Sequence, residues 1–187
     1  DTRSYEIALK NALREAPDVI MIGEIRDRAT MQQALAFSES GHLCLSTLHA
    51  NNADQALERI VNLFPDEARM QMLQDLSANL VAVVGQRLVV GLQQRRAVAV
   101  EIFLKTPYLT ELIARGELGN LKEVMKRGSE SGMQTFDQAL YELVVAGRIS
   151  AEEALANCDS KADLSLRIRL SMGATAVSAG NMSLRPS

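Results

Sequence analysis

The chain has 187 residues, 47% hydrophobic and 23% charged with a formal net charge of −3, a globular composition without the basic excess of a dedicated nucleic-acid binder. Its apolar stretch Ala78 to Val84 lies between Asp75 and Arg87, far short of the roughly 20 residues that a membrane-spanning helix needs. Cys44 and Cys158 have neither C-x-x-C spacing nor a cluster with histidine, which disfavours structural zinc and points to a reducing, cytosolic setting. The chain starts at Asp1 without methionine or an apolar leader and reads as the back part of a longer protein.

The helical pattern of Tyr5 to Glu15 is closed by Pro17, and Val19 to Ile22 reads as a strand buried on both faces. That strand carries Gly23, Glu24, Arg26 and Asp27 to its carboxyl end, the ligand crevice of open α/β sheets. A carboxylate there can hold a Mg²⁺-bound water or orient an attacking one with little reorganisation. Thr30 and Gln33 form a capping box before a helix over Met31 to Ser40, and Gly41 supplies its left-handed end. A second strand, His42 to Leu48, delivers Thr47 and His49, and Asn51 or Asn52 caps a helix over Ala53 to Phe64. Alternation of strand and helix predicts a parallel sheet. Pro65-Asp66 breaks the pattern before a helix over Glu67 to Val84, and Arg87 to Leu92 with Ala97 to Leu104 reads as a hairpin, an edge ribbon on that sheet. Beyond Thr106-Pro107 the pattern is helical: Tyr108 to Arg115, Leu118 to Arg127, Thr135 to Ala146, Ala151 to Asn157 and Ala162 to Met172. Capping boxes at Thr135/Gln138 and Ser150/Glu153 start two of these, and Gly128 and Gly147 stop the helices before them. A boundary falls near Lys105, and residues from Gly173 onward read as a disordered tail.

Leu13-Arg14-Glu15-Ala16-Pro17-Asp18, four apolar residues and then Gly23-Glu24-Ile25-Arg26-Asp27 resemble the signature segment of the type II secretion and type IV pilus ATPases (GspE/PilT-like). In that family the segment is an atypical Walker B, with glutamate near the magnesium and its waters. Gly41 to His49, continued by Ala50-Asn51-Asn52, resembles the family's His box, whose two histidines map onto His42 and His49. The resemblance implies ATP and Mg²⁺ as cofactors, Glu24 and His49 as catalytic residues with Glu24 meeting the metal through water, and Gly23, Arg26, Asp27, His42 and Thr47 as nucleotide and metal supports. A histidine at a strand end can donate to a γ-phosphate oxygen and lose that bond after hydrolysis. It further implies the C-terminal part of a RecA-like P-loop NTPase core over residues 1–105, a helical subdomain over 106–172 and a tail over 173–187. No G-x-x-x-x-G-K-[ST] occurs in these residues. In the family the Walker A loop, the acidic box and the N-terminal arginines precede this region, so these residues alone are expected not to hydrolyse ATP.

The family's assembly and secretion members insert a tetracysteine zinc module after the segment matching Gly85-Gln86-Arg87-Leu88, which this chain lacks. Gly132-Met133-Gln134-Thr135-Phe136-Asp137-Gln138 instead resembles the retraction branch. That branch carries A-I-R-N-L-I-R-E where this chain has Tyr108 to Arg115 and keeps only Leu112-Ile113 in register, which favours the accessory, PilU-like subtype. The resemblance thus implies a hexameric motor for type IV pilus retraction and twitching motility, cytoplasmic and peripheral at the inner membrane. A partner retraction ATPase and the membrane platform protein are its implied partners, contacted through Thr110, Glu111, Leu112, Ile113 and Arg115. The alternatives are a non-hydrolysing accessory subunit and, further off, a pilus-assembly or type II secretion ATPase.

Overall fold

The structure is a computed structural model that describes residue 11 and residues 13–92 and 95–181. Most of the helix expected over Tyr5 to Glu15 lies outside the described residues; within them Leu13–Glu15 forms a single 3-10 turn. Two compact units are present, Asp1–Ala82 with Lys105–Leu121, and Val83–Leu104 with Lys122–Ser187.

In the first unit, β1 (Val19–Ile22) and β2 (Leu43–Ser46) pair in parallel, with Val19 opposite Leu43 and Ile22 opposite Ser46. The crossover between them is α1 (Arg28–Glu39), capped by Asp27 three residues earlier than the sequence pattern suggests. The Asp27 carboxylate accepts the Thr30 N–H at 2.8 Å, so Thr30 is spent as a backbone donor instead of capping. Gly41, at φ 90°, makes the left-handed turn out of α1 that a side chain would strain. Asn52 caps α2 (Ala53–Asn62), and α3 (Asp66–Asn79) and α4 (Pro107–Ala114) pack against each other. Ile20, Ile22, Phe37, Leu57, Met72, Leu76, Leu109, Leu112 and Ile113 are core residues of this unit.

On one face of the β1–β2 pair Ile20 and Ile22 are buried and Cys44 is half-buried, while the other face is open. Val19, Met21, Leu43 and Leu45 are 48 to 72% exposed, so β1 is covered on one face, not two as its apolar run suggests. No described element of this unit lies over those four side chains, and an apolar run alone cannot distinguish a covered face from one awaiting cover.

In the second unit, β3 (Ala82–Val90) and β4 (Arg96–Leu104) form their own two-stranded sheet, so the hairpin is not an edge ribbon on the β1–β2 pair. A connection this short joins antiparallel strands. β3 also claims residues 82–84 from the expected helix: the chain turns extended at Leu80 (ψ 127°), and the β-branched residues of the Ala82-Val83-Val84 run suit a pleated surface better than a helix. The following elements are α5 (Leu121–Arg127), α6 (Phe136–Val145), α7 (Ala151–Asn157) and α8 (Lys161–Asn181). Phe136, Leu140, Leu143, Ile149, Ala154, Leu164 and Ile168 meet Val89, Ala97 and Ala99 in one core.

Two expectations are corrected by this division. The chain does pass from one unit to the other at Lys105, but it also does so after Ala82 and after Leu121: α4 lies in the first unit, because Leu109, Leu112 and Ile113 are buried against α3, whereas the β3–β4 hairpin groups with the later helices. The segment from Gly173 is helical through Asn181, a continuation of α8; residues 182–187 lie outside the described residues.

The Gly132 to Gln138 motif is explained by architecture. Gly132 takes φ 86°, the Gln134 backbone pairs with Ile102, and Thr135 with Gln138 forms the expected capping box of α6. Arg87 stacks its guanidinium 3.9 Å over the buried Phe136 ring. Asp137 accepts the Asp159 N–H at 2.7 Å and the Ser160 N–H at 3.0 Å, which caps the start of α8 from another helix. At Ser150 the capping box is incomplete: its hydroxyl accepts the Glu153 N–H, but the Glu153 carboxylate accepts the Val90 N–H at 2.8 Å.

Candidate functional site

Beyond the last paired residues of β1 and β2, two hydrogen bonds keep the strands together. Thr47 Oγ1 donates to Gly23 O at 2.5 Å, and Ile25 N–H donates to Thr47 O at 3.0 Å. This clamp holds Gly23-Glu24-Ile25 beside Thr47-Leu48-His49 although neither stretch is strand. Ile25, 5% exposed, anchors it in the core, so Glu24 is presented from a fixed backbone.

Glu24 and His49 meet there: His49 Nε2 lies 3.0 Å from Glu24 Oε1. The other carboxylate oxygen, Oε2, accepts from Arg26 at 2.6 Å. Glu24 keeps 19% of its side-chain surface in reach of water, against 79% for His49 and 76% for Arg26. The carboxylate is thus the half-sheltered centre of an exposed triad. His49 also lines, with Ala50, Asn51, Gln55, Glu58 and Arg59, an open hollow of about 540 Å³ that does not include Glu24.

The other sequence-predicted residues are placed differently. Asp27 is the α1 cap, and its hydrogen bond from the Thr30 backbone lowers its carboxyl below the usual carboxylate range. The Thr47 hydroxyl is committed to the Gly23 carbonyl. His42 stands at the amino end of β2, the opposite end from His49, with Nδ1 2.9 Å from Ser40 Oγ and 3.2 Å from Phe37 O; it joins α1 to β2 and does not reach Glu24. Leu112 and Ile113, expected to contact a partner, are 3% and 2% exposed in the core, and Thr110 donates its hydroxyl to Thr106 O at 3.0 Å. Glu111 and Arg115 remain on the surface as an i,i+4 ion pair.

Among known proteins, residues 2–148 match the profile of the type II/IV secretion system protein family. The chain belongs to that family. It is 58% identical over 172 residues to the type IV pilus ATPase PilU of Pseudomonas aeruginosa, covering 91% of this chain and 45% of that protein. It is 38% identical over 154 residues to the type IV pilus retraction ATPase PilT of the same organism, covering 82% of this chain and 45% of the relative. The crystal structure of the pilus retraction motor PilT with bound ADP superposes with a TM-score of 0.79 at 36% identity, over 88% of this chain and 46% of that one. The RecA-like α/β fold expected from the motifs is therefore the fold of this secretion-system family member, and the chain spans about half the length of the relatives it matches.

Two side-chain contacts are not announced by the sequence. Arg59 donates from Nη1 to the His49 carbonyl at 2.9 Å. Its signal was available, since Asn52, Gln55 and Arg59 follow the spacing of one helix face, but an exposed arginine on an amphipathic helix is ordinary. In the second unit, Asp159 receives Arg87 at 2.7 Å and Lys122, from segments far apart in sequence. Burial alone would raise the Asp159 carboxyl, but the hydrogen bonds and charges of Lys122 and Arg87 outweigh it and hold the group below the usual carboxylate range.

Proposed function

We propose that this chain is the C-terminal part of an ATP-hydrolysing motor for type IV pilus retraction, of the accessory PilU-like kind, and that it supplies the Walker B and His-box half of the nucleotide site. The observation that carries the reading is the Glu24–His49 pair, 3.0 Å apart beyond the carboxyl ends of two parallel strands, in a chain 58% identical to the PilU ATPase. An all-oxygen donor on a rigid strand end suits Mg²⁺, which keeps most of its waters and takes few protein ligands. Bound ATP and Mg²⁺ supply the reactive phosphoanhydride and the charge that offsets its transfer.

The residues of this chain orient and discriminate. Glu24 would hold a water of the Mg²⁺ through its half-sheltered carboxylate. His49, whose Nε2 faces Glu24 Oε1 in this structure, would give up that contact to donate from Nε2 toward the developing phosphate charge. The P-loop and acidic-box residues belong, in this reading, to the rest of the protein, whose relatives are more than twice as long as this chain's match to them. The assembled motor is a homo-hexamer that works with a partner retraction ATPase on the inner-membrane platform protein from the cytoplasmic face. No helix among the described residues is long and apolar enough to cross a membrane.

Glu24→Gln in the full-length protein tests this. It keeps the side-chain shape and removes the charge, so ATP binding persists while turnover falls by about 100-fold or more. Turnover equal to wild type overturns the role of Glu24. A full-length wild-type protein that binds its partner ATPase but never hydrolyses ATP, alone or in the mixed ring, establishes the non-hydrolysing accessory subunit instead.

A further inference from the structure

The side chain of His49 is 79% exposed, so packing does not fix its position. We propose that Arg59 is the positioning residue of His49: its guanidinium, reaching back from α2, holds the His49 carbonyl and thereby sets the ring against Glu24. The proposal rests on the reading above that His49 acts in hydrolysis. Arg59 Nη1 donates to His49 O at 2.9 Å, and His49 Nε2 stands 3.0 Å from Glu24 Oε1. A single residue is thus gripped at its carbonyl while its ring meets the carboxylate.

The grip belongs to a larger strap. Asn52 Oδ1 accepts the Gln55 N–H at 2.9 Å to begin α2, Gln55 Oε1 accepts the Asn51 N–H at 3.4 Å, and Arg59 reaches His49. Positions 49, 51 and 52 are therefore secured to one face of the helix. The helix is a firm base, because Ala53, Ala56, Leu57 and Ile60 are at most 5% exposed. At its other end the same loop is clamped to β1 through Thr47 and Gly23. Between those two fixed ends lies His49, and Arg59 alone of the strap acts on that residue itself. Arginine is well suited to this grip, because its long stem reaches back from the helix to the preceding loop and its guanidinium stays charged and planar at any working pH.

A four-variant cycle in the full-length protein, with Mg²⁺-ATP as substrate, tests the proposal: Arg59→Met, which keeps the stem and removes the donors, Arg59→Lys, His49→Ala, and His49→Ala with Arg59→Met. Arg59→Met is expected to lower kcat about tenfold or more with KM for ATP within about twofold, since small misplacements of a catalytic group cost that much. Arg59→Lys is expected to restore part of kcat, all four variants to melt within a few degrees of wild type, and the double variant to be no slower than His49→Ala. Wild-type turnover of Arg59→Met beside a slow His49→Ala overturns the role of Arg59 and leaves the reading of His49 standing. Losses that multiply in the double variant show that Arg59 acts independently of His49 and also overturn it. Wild-type turnover of His49→Ala, or a wild-type protein without turnover, removes the underlying reading and the proposal with it.

Discussion

Polar side chains at the carboxyl ends of β1 and β2 divide between two roles that look alike in sequence. Glu24 and His49 are directed at each other and at solvent, whereas Thr47 and Asp27 spend their oxygens on backbone groups. The motifs put all four at the site, Glu24 and His49 as catalytic groups and Thr47 and Asp27 as supports; only the backbone path decides which of them has a carbonyl or amide left to satisfy. Asp159 shows the same limit from the other side, since nothing local to it announces Arg87 or Lys122. Its carboxyl is depressed in the fold relative to an unfolded value of about 3.9, so its stabilisation is present above about pH 4 and is lost as pH falls through the folded value. Asp159→Asn should therefore cost about 1 to 3 kcal/mol at pH 7, where it removes the charge that Arg87 and Lys122 share, and progressively less as the pH falls below about 4. Thermal melts of both proteins across that range check this, and a gap that stays constant with pH would remove the carboxylate's charge from the account.

At the scale of elements, α4 separates packing from output. Its Leu109, Leu112 and Ile113 face the core, while Glu111 and Arg115 pair on the surface near the half-exposed Tyr108. Leu112→Ala should cost about 2 to 5 kcal/mol of stability. Glu111→Ala and Arg115→Ala should stay within about 0.5 kcal/mol. If this helix carries the coupling to a partner, the two surface variants should keep ATP turnover yet lose pilus retraction or binding of the partner ATPase. Normal twitching with both variants would place the output elsewhere. The apolar residues of this helix were legible as a repeating pattern, but Leu112 and Ile113 served equally well as a partner contact or as a core stripe until α3 was seen against them. Caps were easier to foresee: Asn52, Thr135 and the left-handed Gly41 and Gly147 act within a few residues of themselves.

For the whole molecule, the open face of Val19, Met21, Leu43 and Leu45 is the largest departure from expectation. Parallel sheets are covered on both faces, and contiguous apolar surface of this kind is a contact or an aggregation site. Met21→Lys with Leu45→Lys should reduce self-association of the purified 187-residue chain in light scattering. The same pair should destabilise the full-length protein by roughly 2 kcal/mol or more, where this reading has the face covered. Equal stability of the full-length variant would show that the face stays open there. By itself the sequence determined the α/β class, the strand-to-glycine-acid signature, the parallel β1–β2 pairing and most caps, because each follows from periodicity or from contacts a few residues apart. Only the tertiary structure decided that β3 and β4 stand as a separate sheet, that α4 joins the first unit, that Asp137 caps α8, and that Arg59 reaches His49. Those relations join residues ten to more than twenty positions apart or whole elements, and they exist only once the chain has closed its loops and excluded water from the surfaces between.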